Sequence, residues 1–203
     1  MEDAQVAIAS GADAIGLVFY ASSPRNVSLQ QAAEIVACVP PFVTVVALFV
    51  NELPETIRRI LSVVDIDHIQ FHGDESPEFC AQFERPWVKA LRVRPELDLR
   101  RACQDFAAAR GILLDSWQDG VPGGTGKTFD WHLAPRDLPL PVVLAGGLGA
   151  DNVGTAIAQL RPAAVDVSGG VESSPGLKDA DKIRQFAAAV RAADNLLDEQ
   201  DDK

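Results

Sequence analysis

Residues 111–131 read GILLDSWQDGVPGGTGKTFDW. The run Ile112-Leu113-Leu114 is short and apolar, and it ends in a carboxylate, Asp115. A glycine-rich loop follows over 120–126, then Lys127 and Thr128. An apolar strand that carries an acid at its C-terminal end, beside a loop rich in backbone N–H groups, is how parallel α/β proteins build sites. The reading therefore predicts a strand at 112–115 within a parallel sheet, and it requires strand–helix units on both sides.

Those units are present. Upstream, apolar runs at 14–20, 44–50, 68–71 and 87–93 read as strands. Helical patterns stand between them at 28–38, 51–64, 76–83 and 97–110, after a first helix at 2–10 that Gly11 ends. Ser28 is placed to cap its helix, and Pro54 and Pro77 fall in first turns. Downstream, a short helix starts near Asp130, strands follow at 142–145 and 165–167, and helices at 152–160 and 179–193. Strand and helix alternate with short connections, which implies parallel strands with crossover helices. Polar or glycine residues follow nearly every strand, at Arg25, Asn51, His72, Arg92, Asp115, Gly146 and Ser168. In a (β/α)8 barrel all such ends converge on one mouth. The expected fold is therefore an α/β TIM barrel, one domain over 1–193, with an acidic, disordered tail over 194–203.

Composition narrows the function. The net charge of −11, with no basic cluster, argues against nucleic acid as a partner. The longest apolar runs are too short to span a bilayer. Glu2 and Asp3 stand where a secretory leader would be basic. Three widely spaced cysteines, Cys38, Cys80 and Cys103, fit a reducing, cytoplasmic setting and match no zinc spacing. No metal is expected.

The site candidates come from the strand ends. Gly146-Gly147 and Ser168-Gly169-Gly170 each sit between a strand and a helix. Glycine lets backbone N–H groups approach a phosphate, and the last two strand ends of such barrels commonly bind one. Tight turns alone would explain a single pair less remarkably placed. Gly123 to Thr128 invites a nucleotide P-loop reading. That motif needs glycine at 121, which is valine, so a mobile loop closing over a small ligand suits Gly124 and its neighbours better. Partial burial favours the protonated form of a carboxylate, which suits Asp115 to act as a general acid; a helix cap or an ion-pair partner is the plain alternative. Arg25 can hold an anion bidentately, and His72 can bind substrate or move protons; a solvated arginine and a backbone-satisfied histidine are their plain alternatives.

Together, GADAIGLVFY (11–20), SPRNVS (23–28), VALFVN (46–51), IQFHGDESPEFC (69–80), LLDS (113–116), GGTGKTFDW (123–131), LAGGL (144–148) and DVSGGVES (166–173) resemble the phosphoribosylanthranilate isomerase family of tryptophan biosynthesis. The resemblance implies a TIM barrel that rearranges N-(5-phosphoribosyl)anthranilate to 1-(2-carboxyphenylamino)-1-deoxyribulose 5-phosphate without a cofactor. It implies Asp115 as general acid and Arg25 at the anthranilate end. It implies Gly146, Gly147, Ser168 and Gly169 around the phosphate, with His72 and Gly124 also binding substrate. The family's general base is a cysteine on a first strand that residues 1–203 do not contain, so seven strands are expected here. Turnover by these residues is expected to be at least ~10²-fold below that of a form carrying the cysteine. The alternative is a phosphate-ligand-binding barrel remnant without turnover. The expected partner is a small phosphosugar, with no nucleic acid and no membrane, and the protein a monomer or homodimer.

Overall fold

The computed structural model describes residues 1–116 and 128–201. Seven strands form one sheet in chain order: β1 (Ala14–Phe19), β2 (Thr44–Phe49), β3 (His68–Phe71), β4 (Trp87–Val93), β5 (Gly111–Ser116), β6 (Val142–Leu144) and β7 (Ala164–Val165). Every neighbouring pair is parallel. Helices α1 (Glu2–Ala9), α2 (Leu29–Val36), α3 (Pro54–Val63), α4 (Pro77–Cys80), α5 (Leu99–Asp105), α6 (Val153–Leu160) and α7 (Ala180–Asp201) alternate with the strands, with 3₁₀ turns at Trp131–Leu133 and Gly169–Val171. Local chemistry explains their starts. Ser28 and Gln31 form a reciprocal capping box on α2. Ser76 caps α4 and Asp98 caps α5. Gly11 takes φ +95° just past α1.

Alternation along the strands separates two environments. Outward residues such as Phe49, Ile69, Phe71, Ile112 and Leu114 pack under the helices and form the main core. Inward residues form a thin layer of Ala90, Leu113 and Ala145, with Val143 against it. Above that layer, residues from β1, β2, β3, β5 and the ends of β6 and β7 line one cavity, which requires the sheet to curl into a barrel wall.

Several details differ from the sequence reading. β1 is an edge strand, paired along its length with β2 and, among the described residues, bridged on its other side only at Val18 by Asn26, so Ala14 and Gly16 are exposed rather than buried. α4 and α5 are shorter than expected, and α5 ends where Phe106 leaves helical geometry. α7 runs to Asp201, beyond the expected end at Ala193. Its apolar stripe continues from Ile183, Phe186 and Ala193 to Leu197, which packs on the main core. A hairpin, β8 (Glu172–Ser174) with β9 (Leu177–Lys178), follows β7 where the sequence predicts no strand. No helix of the described residues is long and apolar enough to cross a membrane.

Phe42, in the turn before β2, is 103% exposed and has φ +72°. A bulky side chain at positive φ is strained and here gains no burial in return. Phe42→Asn is expected to stabilise the fold by about 1 kcal/mol, since asparagine tolerates this region. An unchanged or lower urea midpoint would refute this.

Candidate active site

The cavity at the C-terminal ends of the strands has a volume of about 260 Å³. Arg25, His72, Asp115, Gly146, Gly147, Ser168 and Gly169 all line it. Gly124 lies outside the described residues. A larger groove of about 930 Å³ between α1 and α7 contains none of these residues.

Asp115 projects inward from β5 and is 5% exposed. Its Oδ2 lies 3.0 Å from His72 Nε2, and its Oδ1 accepts the Ser116 N–H at 2.8 Å. On the other side of the imidazole, Gln70 Nε2 lies 3.0 Å from Nδ1. A donating amide there leaves Nε2–H to point at Asp115. Gln70 escaped the sequence reading, although β3 carried the signal. His68, Gln70 and His72 alternate with the apolar Ile69 and Phe71, so the polar face of β3 turns into the barrel.

Both glycine loops border the acid. Gly146 and Gly147 have φ +79° and +67°, open to glycine and hostile to most other residues. Asn152 holds this loop, accepting from Gly149 N and donating to Gly147 O, just before the first turn of α6. Backbone N–H groups at such a helix start favour an anion. Asp166, also missed in the sequence, follows β7 and lines the cavity. Desolvation by the surrounding walls is the largest influence on its carboxyl and raises its pKa. His72, Lys178 and a hydrogen bond from the Val167 backbone oppose that push, and Asp115 adds to it.

Arg25 is not a free anion receptor. Its Nε and Nη2 donate to Glu172 Oε1 and Oε2, each at 2.7 Å. Lys178 Nζ adds a third bond to Glu172 at 3.0 Å and holds Ser168 O at 2.9 Å. The pair joins the loop after β1 to the hairpin after β7, across the two sheet edges. Gly176, at the hairpin turn, sits so close that a Cβ would lie 2.6 Å from Pro24 O. Desolvation pushes the Glu172 carboxyl up, but the Arg25 and Lys178 hydrogen bonds outweigh it and hold the pKa below the ordinary 4.5. A depressed native pKa means this stabilisation is complete above the unfolded value and is lost as pH falls through the native one. Glu172→Gln is expected to cost about 2 kcal/mol at pH 7. The gap from the parent should narrow as pH drops below 4.5. A gap that stays constant in urea titrations across that range would exclude the ion pair as its source.

The cysteines lie elsewhere. Cys80 and Cys103 are buried, and desolvation pushes the Cys80 thiol up to about 12. Cys38 follows α2 and, like them, does not line the cavity. Among the described residues, no group of three or more His, Cys, Asp or Glu is placed to hold a metal ion.

A parallel barrel wall with a buried acid and two glycine loops at one mouth is the architecture of an α/β-barrel enzyme. Residues 1–189 match the family model described as N-(5'phosphoribosyl)anthranilate (PRA) isomerase, and the chain belongs to that family. It is 60% identical to N-(5'-phosphoribosyl)anthranilate isomerase of Pseudomonas putida (strain GB-1), over 95% of this chain and 94% of that protein. The Azotobacter vinelandii (strain DJ) isomerase is 56% identical, with the same two coverages. Among solved structures, phosphoribosyl anthranilate isomerase from Thermotoga maritima superposes with TM-score 0.87 at 43% identity, covering 94% of each chain. A phosphoribosyl anthranilate isomerase in complex with reduced 1-(o-carboxyphenylamino)-1-deoxyribulose 5-phosphate superposes with TM-score 0.83 at 41% identity, covering 94% of this chain and 93% of that one.

Proposed function

We propose that the protein is a phosphoribosylanthranilate isomerase of tryptophan biosynthesis. Its reaction is the Amadori rearrangement of N-(5-phosphoribosyl)anthranilate to 1-(2-carboxyphenylamino)-1-deoxyribulose 5-phosphate. The observation that carries this reading is Asp115, buried and hydrogen-bonded to His72, in one cavity with both glycine loops. The sugar phosphate binds at Gly146, Gly147, Ser168 and Gly169, where backbone N–H groups and the start of α6 favour an anion. That placement brings the furanose ring to Asp115. Asp115 gives its proton to the ring oxygen, the C1′–O bond breaks, and the nitrogen lone pair forms the Schiff base. The carboxylate left behind accepts from His72 Nε2–H and Ser116 N–H, so its charge is held as it forms.

A base then removes the C2′ proton, and the enolamine collapses to the ketose. In the family this base is a cysteine, and Cys38, Cys80 and Cys103 do not line the cavity. Arg25 serves the anthranilate carboxylate. Its bidentate bond to Glu172 uses Nε–H and one Nη2–H and leaves the Nη1 protons and the second Nη2–H, so a bound carboxylate either shares the arginine or displaces Glu172. The ligand is a small phosphosugar, the setting cytoplasmic, and the assembly a monomer or homodimer.

The test is calorimetric titration with the reduced product analogue, run beside conversion of freshly generated N-(5-phosphoribosyl)anthranilate. Saturable 1:1 binding that inorganic phosphate weakens by competition is expected. No binding of the analogue would overturn the reading.

A further inference from the structure

We propose that the buried Glu75–Lys89 ion pair is the positioning device for the His72–Asp115 couple, an inference that rests on Asp115 being the general acid. Lys89 leaves β4 on the outer face, away from the cavity, and is 3% exposed. Its Nζ lies 3.0 Å from Glu75 Oε2, and Glu75 is 7% exposed. The same ammonium donates to Phe71 O at 3.3 Å and to Gly73 O at 2.6 Å, the carbonyls on either side of His72. The Glu75 carboxylate accepts Gly73 N at 2.9 Å and Asn51 N at 2.8 Å. Two desolvated charges thus grip the backbone just before and just after one site residue.

Stability alone is a poor reason for this pair. Burying two charges is expensive, and their attraction roughly offsets that cost, so apolar replacements are often as stable. What an apolar pair cannot do is bind the three backbone groups of Phe71 and Gly73. With those held, the His72 backbone has no play, and its ring stays 3.0 Å from Asp115. Gly73 itself has no slack, because a Cβ there would lie 2.3 Å from Asn51 Oδ1. The sheet register completes the device. Phe71 sits opposite Lys89, and Arg92 opposite Asp115, so β4 stands between the histidine and the acid and carries the clamp on its far side.

The experiment uses ¹⁵N-histidine spectra of the unliganded chain, with His68 and His132 as internal controls. Glu75→Gln and Lys89→Met are expected to broaden or abolish the hydrogen-bonded His72 Nε2–H signal while both controls stay in place. Affinity for the reduced product analogue should fall roughly tenfold in each variant, and adding His72→Ala should produce no further loss beyond His72→Ala alone. An unchanged His72 signal in the folded variants, or losses that add, would overturn the proposal. If either variant fails to fold, Lys89→Arg keeps the charge. Its planar fork cannot place one nitrogen between the two carbonyls, so it must weaken the same signal. If the parent does not bind the analogue, the functional reading falls, while the His72 signal still decides the positioning.

Discussion

Asp115→Asn is expected to lower kcat by about 10²–10⁴-fold, with KM nearly unchanged, when variant and parent are compared in the same chain. Asparagine matches aspartate in shape and can still accept the Ser116 N–H through its amide oxygen. It cannot donate a carboxylic proton to the ring oxygen, the step that opens the furanose in the proposed reaction. The glycine loops proposed to hold the phosphate are untouched, so ground-state binding should persist. Steady-state kinetics together with analogue titration separate the two effects. A loss below tenfold, or one expressed wholly in KM, would remove Asp115 from the acid role.

Gly146→Ala should place a damaging methyl directly against the acid. Gly146 has φ +79°, where an L-residue is strained by about 1 kcal/mol. The added Cβ would also lie 2.3 Å from Ser116 N and 2.8 Å from Asp115 Oδ1. The first contact is backbone and cannot swing aside, so overpacking should add about 2 kcal/mol. The expected loss is about 3 kcal/mol in all, with the acid displaced and phosphate-ligand affinity reduced. Gly16→Ala is the control, because a Cβ there meets nothing within 4 Å. Equal urea midpoints for the two variants would contradict the crowding argument.

Much of this site is legible in the sequence because strand periodicity also dictates direction. Once 112–115 is a strand with Leu113 inward, Asp115 must face inward too, and the same logic places His72 beyond β3. Glycine pairs after β6 and after β7 are local signals that need no tertiary knowledge. The contacts that fix these groups are different in kind. Arg25 with Glu172 and Lys89 with Glu75 are partners across the fold, and nothing near them in sequence names the partner. Glu172 follows the second glycine pair, yet nothing beside it in sequence points to Arg25. α7 shows the opposite error. Its acidic end was read by composition, although the spacing of Ile183, Phe186, Ala193 and Leu197 already continued the buried stripe.

The Arg25–Glu172 contact also has a temporal meaning. Each strand of the sheet pairs with its neighbour in sequence, so the wall can grow by short closures. Arg25 and Glu172 are 147 positions apart, and their meeting waits until both ends of the wall exist. During refolding, far-ultraviolet dichroism is therefore expected to recover before analogue binding does, and coincident recovery would count against this order. The mouth is then the last part of the molecule to assemble, and a chain that has regained most of its strands remains unable to hold its ligand.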